Sequence, residues 1–320
     1  MSGFKTLEPP KLLRSRNISI KDFAKKRNKL LVIRDTGGIG DILMLRMIFE
    51  DFKLIIPDIY IVLACPVQYH NAVNDHPFID EVIDSQEVDL TEFLISYNVS
   101  EACGKHERRV APLADKHRSD IWAHHCGIEL QRHDMHLSVT QGVTERCRSV
   151  LGKHRDKSGP LVIFSPISAI KSKDLDWKQS NEIISGLRDI GCFVVCLHKS
   201  KIKNVNAPTV CAEDVIDFLG FINAADYIVT VDTATFHAAG GLGKPMVAIF
   251  SWADGKIYGK WYDFILIQRH RDDGNWDCGP CYLWHTCPRE NNGPRKPCIT
   301  EITPQEVIEA SKRMMNKWPL

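Results

Sequence analysis

Apolar residues in this chain come mostly in short continuous runs, seldom in the alternation of a half-exposed strand. Runs at 30–34, 60–64, 159–164, 192–197, 227–231 and 246–250 are rich in Val, Ile and Leu, and a shorter one lies at 81–83. Such runs suit strands buried on both faces of a parallel sheet. Between them, helical stretches are predicted at about 41–52, 66–74, 178–190, 212–224 and 304–316. The last has the clearest start. Thr303 stands at the cap, Pro304 in the first helical position, and Glu306 where it closes a capping box. Strand and helix signals alternating along the whole chain predict an α/β architecture with parallel sheets. The charged stretch Lys153-His-Arg-Asp-Lys-Ser158 interrupts the pattern before it restarts at Gly159. We place a domain boundary there, giving an arm over 1–28, a first domain over 29–155 and a second over 156–320. The segment 101–134, rich in Arg, His and Lys and periodic only in places, reads as a charged helical surface insertion.

A chain of 320 residues can hold two domains, and 44% hydrophobic with 25% charged residues is the balance of a soluble globular protein. No apolar run reaches the length of a membrane span, and the N-terminus lacks the apolar centre of a signal peptide. Eleven scattered cysteines without an export signal point to reduced thiols in a cytoplasm. The net charge of +1 conceals a basic arm, in which residues 1–29 hold nine Lys or Arg against Glu8 and Asp22. Such an arm is either a solvated leader or a contact for an anionic partner: the inner membrane face, lipopolysaccharide phosphates or nucleic acid.

The most informative stretch is 227–250. It reads as strand, turn, short helix and strand, with Asp232, Thr233 and Ala234 at the turn and His237 one helical turn later. Backbone N–H groups at such a helix N-terminus suit an anion, and the arrangement fits a nucleotide diphosphate. A second turn, Gly37-Gly38-Ile39-Gly40-Asp41, follows the first strand at the sheet edge where open α/β sheets bind ligands. Asp41 there is either a helix-capping acid or a catalytic base.

The pattern Asp232-Thr-Ala-Thr-Phe-His237 followed by Gly243-Lys244-Pro245 resembles the C-terminal signature of glycosyltransferase family 9, the ADP-heptose:lipopolysaccharide heptosyltransferases. The Gly40-Asp41 pair after the first strand matches that family in the same order, as does the tail carrying Cys278, Cys281, Cys287 and Cys298 and the Thr303-Pro304 start. The resemblance implies a GT-B fold, with the acceptor held by the first domain and the nucleotide-sugar by the second. It implies inverting transfer from a nucleotide-sugar, most simply ADP-heptose, with no divalent ion needed for the chemistry. Asp41 would be the base. Gly38 and Gly40 would shape its loop, the acceptor would be a lipopolysaccharide core sugar or a related glycan, and segment 101–134, otherwise a surface insertion, would shape the acceptor side of the cleft.

Donor binding is expected from Ser165, Ser168, Lys171, Lys173, Asp232, Thr233, Ala234 and His237. The family has a lysine two residues before a tryptophan, but here Leu175 holds that place before Trp177, so the phosphate-binding lysine is open between Lys171 and Lys173. Residues Ser251, Trp252, Asp254 and Tyr258 follow a strand on the same edge and read as loop packing, with contact to the nucleotide base as the alternative. The Cys278–Cys298 loop (278–298) offers four thiolates, the donor set of structural zinc or iron, with His285 as a stand-in. Two other readings share the sequence: the same chemistry on a protein or modified-DNA acceptor, and a non-catalytic protein stabilised by a metal.

Overall fold

The computed structural model describes residues 29–111, 113–154, 159–271, 278–282, 287–289 and 295–320. The basic arm over 1–28 and His285 lie outside the described residues. Within them the N-terminal half holds β1 (Lys29–Ile33), α1 (Ile39–Leu45), α2 (Phe49–Ile55), β2 (Tyr60–Cys65), β3 (Glu81–Asp84), β4 (Ile95–Asn98), α3 (Ala102–Val110), α4 (Arg118–His125) and α5 (Gln141–Gly152). The C-terminal half holds β5 (Leu161–Ser165), α6 (Trp177–Asp189), β6 (Phe193–His198), β7 (Thr209–Cys211), α7 (Val215–Ala224), β8 (Tyr227–Val231) and α8 (Ala234–Gly241). It continues with β9 (Met246–Phe250), α9 (Gly255–Tyr258), β10 (Ile265–Gln268), α10 (Pro297–Thr300) and α11 (Pro304–Lys317).

Two parallel sheets result, in the orders β3-β2-β1-β4 and β10-β9-β8-β5-β6-β7. The register places Val32 beside Leu63, and Ile163 between Val195 and Ile228. Every residue of β5, β8 and β9 is buried, which is why those strands read as unbroken apolar runs. Successive side chains still go to opposite faces. Val162, Phe164, Val229 and Val231 pack under α6 and α11, while Ile163 and Ile228 join a second core with α7 and α8. That second core continues without a break into the N-terminal half through Leu43, Ile48, Phe49 and Trp122. Apolar packing therefore joins the two halves.

Several predicted elements differ in detail. The helix expected at 41–52 is α1 and α2 joined by a 3₁₀ turn, Arg46–Ile48. Arg46 is fully buried there and donates to Met135 O at 2.7 Å and Ala72 O at 2.6 Å, so that turn anchors distant chain. The segment 66–74 forms 3₁₀ turn (Val67–Ala72) rather than α-helix. In the charged segment, α3 and α4 are helices as anticipated, but they are not mere surface. Trp122 is fully buried and donates to Val99 O at 3.1 Å. The last helix begins as its sequence dictates. Glu306 N donates to Thr303 Oγ1 at 3.3 Å, and Glu306 Oε2 accepts from Thr303 N at 2.8 Å.

Candidate active site

β1 ends at Ile33, and the chain turns through Gly37 to enter α1. Gly37 has φ +101°, and a Cβ there would stand 2.4 Å from Arg34 Nη2, so glycine is required on both counts. Gly38 is the N-cap of α1, with open space where its Cβ would be. Asp41 lies in the first turn, and its Oδ2 accepts from Gly38 N at 3.3 Å. The capping role and a position at the sheet edge therefore coexist in one residue.

Asp41 is also gripped by two arginines. Arg118 Nη1 donates to Oδ1 at 2.6 Å, and Arg34 Nη2 lies 3.2 Å from Oδ2. Arg34 in turn donates to Ser100 O at 2.5 Å. Burial by itself would raise the Asp41 pKa, but the charges of Arg118 and Arg34 and the Arg118 hydrogen bond hold it below the usual carboxylate range.

The second turn comes from β8. Thr233 is the N-cap of α8, its backbone extended and its side chain making no cap hydrogen bond, with Ala234 as the first helical residue. The first N–H groups of α8 thus carry no side-chain cap. Asp232 is buried and ion-paired with Lys173 Nζ at 2.6 Å. Lys173 also lies over the Trp252 ring, 4.5 Å from its centroid, and Trp252 Nε1 donates to Ser172 Oγ at 3.0 Å. Lys173 is therefore the lysine set at the turn, whereas Lys171 is exposed. Ser165, buried at the end of β5, has its Oγ 3.1 Å from Thr235 Oγ1. Ser168 is occupied in its own loop: its N and Oγ both bond Asp174 Oδ1, at 2.7 and 3.1 Å.

The two turns meet. α1 packs on α8, and a Cβ on Gly40 would stand 2.9 Å from His237 Cδ2. His237 is buried, with Nδ1 3.2 Å from Tyr262 Oη. Burial pushes its pKa down to about 4, against the opposing pull of Asp232 and Asp41, so the imidazole is neutral at pH 7. A cavity of about 610 Å³ opens in the N-terminal half at the ends of β1 and β4, lined in part by Asp35, Ser100, Lys105, Arg109, His124 and His125. Asp41 is not among the lining residues, and Arg34, which pairs with Asp41, donates to the backbone carbonyl of Ser100 in the cavity wall.

Sequence reading missed Arg34, Glu107 and Arg118, and it placed Tyr258 in loop packing. Tyr258 is in fact buried beneath Arg118, whose guanidinium lies 5.0 Å from the ring centroid, and its Oη donates to Glu107 Oε1 at 3.1 Å.

The tail cysteines bear on another expectation. Among the described residues no three or more Cys, His, Asp or Glu side chains are gathered closely enough to hold a metal. Cys278, Cys281, Cys287 and Cys298 are partly exposed. They are still neighbours, because the Cys298 thiol, pushed up to about 12 chiefly by burial, also feels Cys281, Cys287 and Cys278. The donor chemistry suits zinc or iron.

The two parallel sheets with their flanking helices make the GT-B fold, shared with solved glycosyltransferase structures. Three solved structures carry the likeness. The ADP-heptose lipopolysaccharide heptosyltransferase II of E. coli is 14% identical, with a TM-score of 0.66 over 90% of this chain and 99% of that one. A family 9 glycosyltransferase from Veillonella parvula is 13% identical, with a TM-score of 0.67 over 92% and 98%. TibC, an iron-containing dodecameric glycosyltransferase of enterotoxigenic E. coli, is 15% identical, with a TM-score of 0.66 over 91% and 79%. No protein-family model matches the chain, and no curated protein matches it by sequence.

Proposed function

We propose that this chain is an inverting glycosyltransferase that moves a sugar from a nucleotide diphosphate donor to a hydroxyl acceptor. The observation that carries the proposal is the meeting of the two turns, with Gly40-Asp41 on α1 packed against His237 on α8. A proton acceptor and an anion-binding helix end are then neighbours across one cleft, which is what displacement at an anomeric carbon requires. The half over 156–320 takes the donor, with the diphosphate at the uncapped N–H groups of α8 beside Lys173. Those N–H groups, Lys173 and the neutral imidazole of His237 meet the negative charge that grows on the departing nucleotide, without calling on a divalent ion. The half over 29–155 takes the acceptor next to Asp41, whose carboxylate removes the hydroxyl proton as the new bond forms.

ADP-heptose is the simplest donor, because structures of the same fold are heptosyltransferases and TibC has been solved with ADP-D-β-D-heptose. A lipopolysaccharide core sugar or related glycan is the matching acceptor. Zinc or iron at the tail cysteines is a separate question that metal analysis of the purified protein answers: a stoichiometric ion would mean that those thiols close around it.

The test is a calorimetric and thermal-shift comparison of ADP, UDP, GDP and CMP. A ligand that binds only the folded state raises the melting temperature with its saturation. Selective stabilisation by ADP is the expected result. Preference for another nucleotide would discard heptose and keep the transferase, and no response to any nucleotide would overturn the proposal.

A further inference from the structure

The carboxylate that serves as base in the reading above is held by a chain of groups that begins in the other half of the molecule. Tyr258, the last residue of α9, donates from Oη to Glu107 Oε1 on α3 at 3.1 Å. Glu107 accepts the fork of Arg118, Nε on Oε1 at 2.7 Å and Nη2 on Oε2 at 2.9 Å. The remaining Nη1 of Arg118, the first residue of α4, reaches Asp41 Oδ1 at 2.6 Å. The Tyr258 ring lies beneath the same guanidinium, which confines it further. Four elements, three from one half and one from the other, thus converge on a single arginine.

The geometry explains why that arginine cannot be a lysine. A guanidinium is planar, and committing two of its N–H groups to Glu107 fixes the plane. Only Nη1 is then left for Asp41, at a set angle. Oδ2 is turned toward Gly38 N at 3.3 Å and Arg34 at 3.2 Å. If Arg118 could rotate, it could take both oxygens of Asp41 in a fork and block the proton acceptor.

We propose that Tyr258, Glu107 and Arg118 are positioning residues that align the Asp41 carboxylate through the contact between the C-terminal and N-terminal halves. The proposal rests on the transferase reading for its consequence, and on the contact chain alone for its existence. Without the Tyr258 hydroxyl, Glu107 and Arg118 lose their outer restraint.

The experiment uses the full chain with Tyr258→Phe, Arg118→Lys, Asp41→Asn and the Tyr258→Phe/Asp41→Asn double variant. ADP release from ADP-heptose gives kcat and KM, and calorimetry with ADP gives nucleotide affinity. Tyr258→Phe keeps the ring and removes one hydrogen bond to a charged group, so kcat should fall about 10-fold. Arg118→Lys keeps the charge and loses the fork, so kcat should fall on the order of 100-fold although a purely electrostatic role would be rescued. In both, ADP affinity should stay within about twofold of wild type, because neither residue is placed on the nucleotide. Denaturant unfolding supplies a reading that needs no turnover. The stability losses of Tyr258→Phe and Asp41→Asn should be non-additive in the double variant, since they lie on one connected network. Additive losses would overturn the contact chain itself. Wild-type kcat in both single variants would overturn the relay and leave the transferase intact, and so would a loss of ADP affinity that matches the loss of kcat. A wild-type protein that neither binds ADP nor releases it would remove the transferase reading and the relay's role in it together.

Discussion

At Asp41, burial and charge pull in opposite directions, and charge wins. Arg118 and Arg34 keep the carboxylate ionised below the usual range, so it is a weak base that is always ready. His237 is neutral because burial pushes its pKa down to about 4. Both groups therefore finish titrating on the acid side of ordinary assay conditions. The depressed Asp41 pKa means that its working form is lost only as pH falls through that low value, and the same sign holds for neutral His237. From these two residues kcat should show no acid limb between about pH 8 and 5, measured by ADP release across that range; a limb near pH 6.5, the ordinary histidine value, would contradict the assignment. Lys173 offers a second test. It pairs with a nearly fully buried Asp232 at the proposed diphosphate site, so Lys173→Gln should weaken ADP binding by about 10-fold or more and also lower stability. Unchanged ADP affinity by calorimetry would move the phosphates elsewhere.

At the scale of elements, the contact between α1 and α8 decides whether there is a single site. Gly40 has no space for a side chain against His237, whereas Gly38 faces open space. Gly40→Ala should therefore destabilise the fold by about 1–3 kcal/mol through overpacking, and lower transfer as the two helices separate. Gly38→Ala should cost about 1 kcal/mol or less, the weak preference of an N-cap for glycine over alanine. Equal unfolding midpoints for the two variants would contradict the packing. These elements also show what the sequence makes legible. Buried parallel strands such as β8 and β9 stand out because both faces are apolar, and α11 because its cap is written in three adjacent residue types. The two turns were visible for the same local reason. β4 and β7, only four and three residues long, carry too few positions for a pattern. Arg118 was invisible as a site residue because its partner Asp41 lies 77 positions away, and no local periodicity encodes a pairing that tertiary packing alone creates.

For the whole molecule, packing continues from one half to the other, and three of the buried polar groups are uncharged histidines. His76 and His117 are pushed down to about 3 and His237 to about 4, in each case first by burial. Their pKa values are depressed in the folded state, so the stability they favour is complete above the unfolded value of 6.5 and is lost as pH falls from there toward the folded values. The urea midpoint should accordingly be lower at pH 5 than at pH 7; an equal or higher midpoint at pH 5 would mean that these histidines are solvated. The same burial keeps His237 neutral beside the proposed diphosphate, which ties the site's chemistry to the integrity of the fold. The most direct measurement of the central claim is ADP release from ADP-heptose by wild type and Asp41→Asn, with ADP affinity determined on both. We predict release by the wild type, a loss on the order of 100- to 10,000-fold in Asp41→Asn, and ADP affinity kept in both. Equal release by the two proteins would contradict the account, because the carboxylate on which both halves converge would then have no part in the reaction.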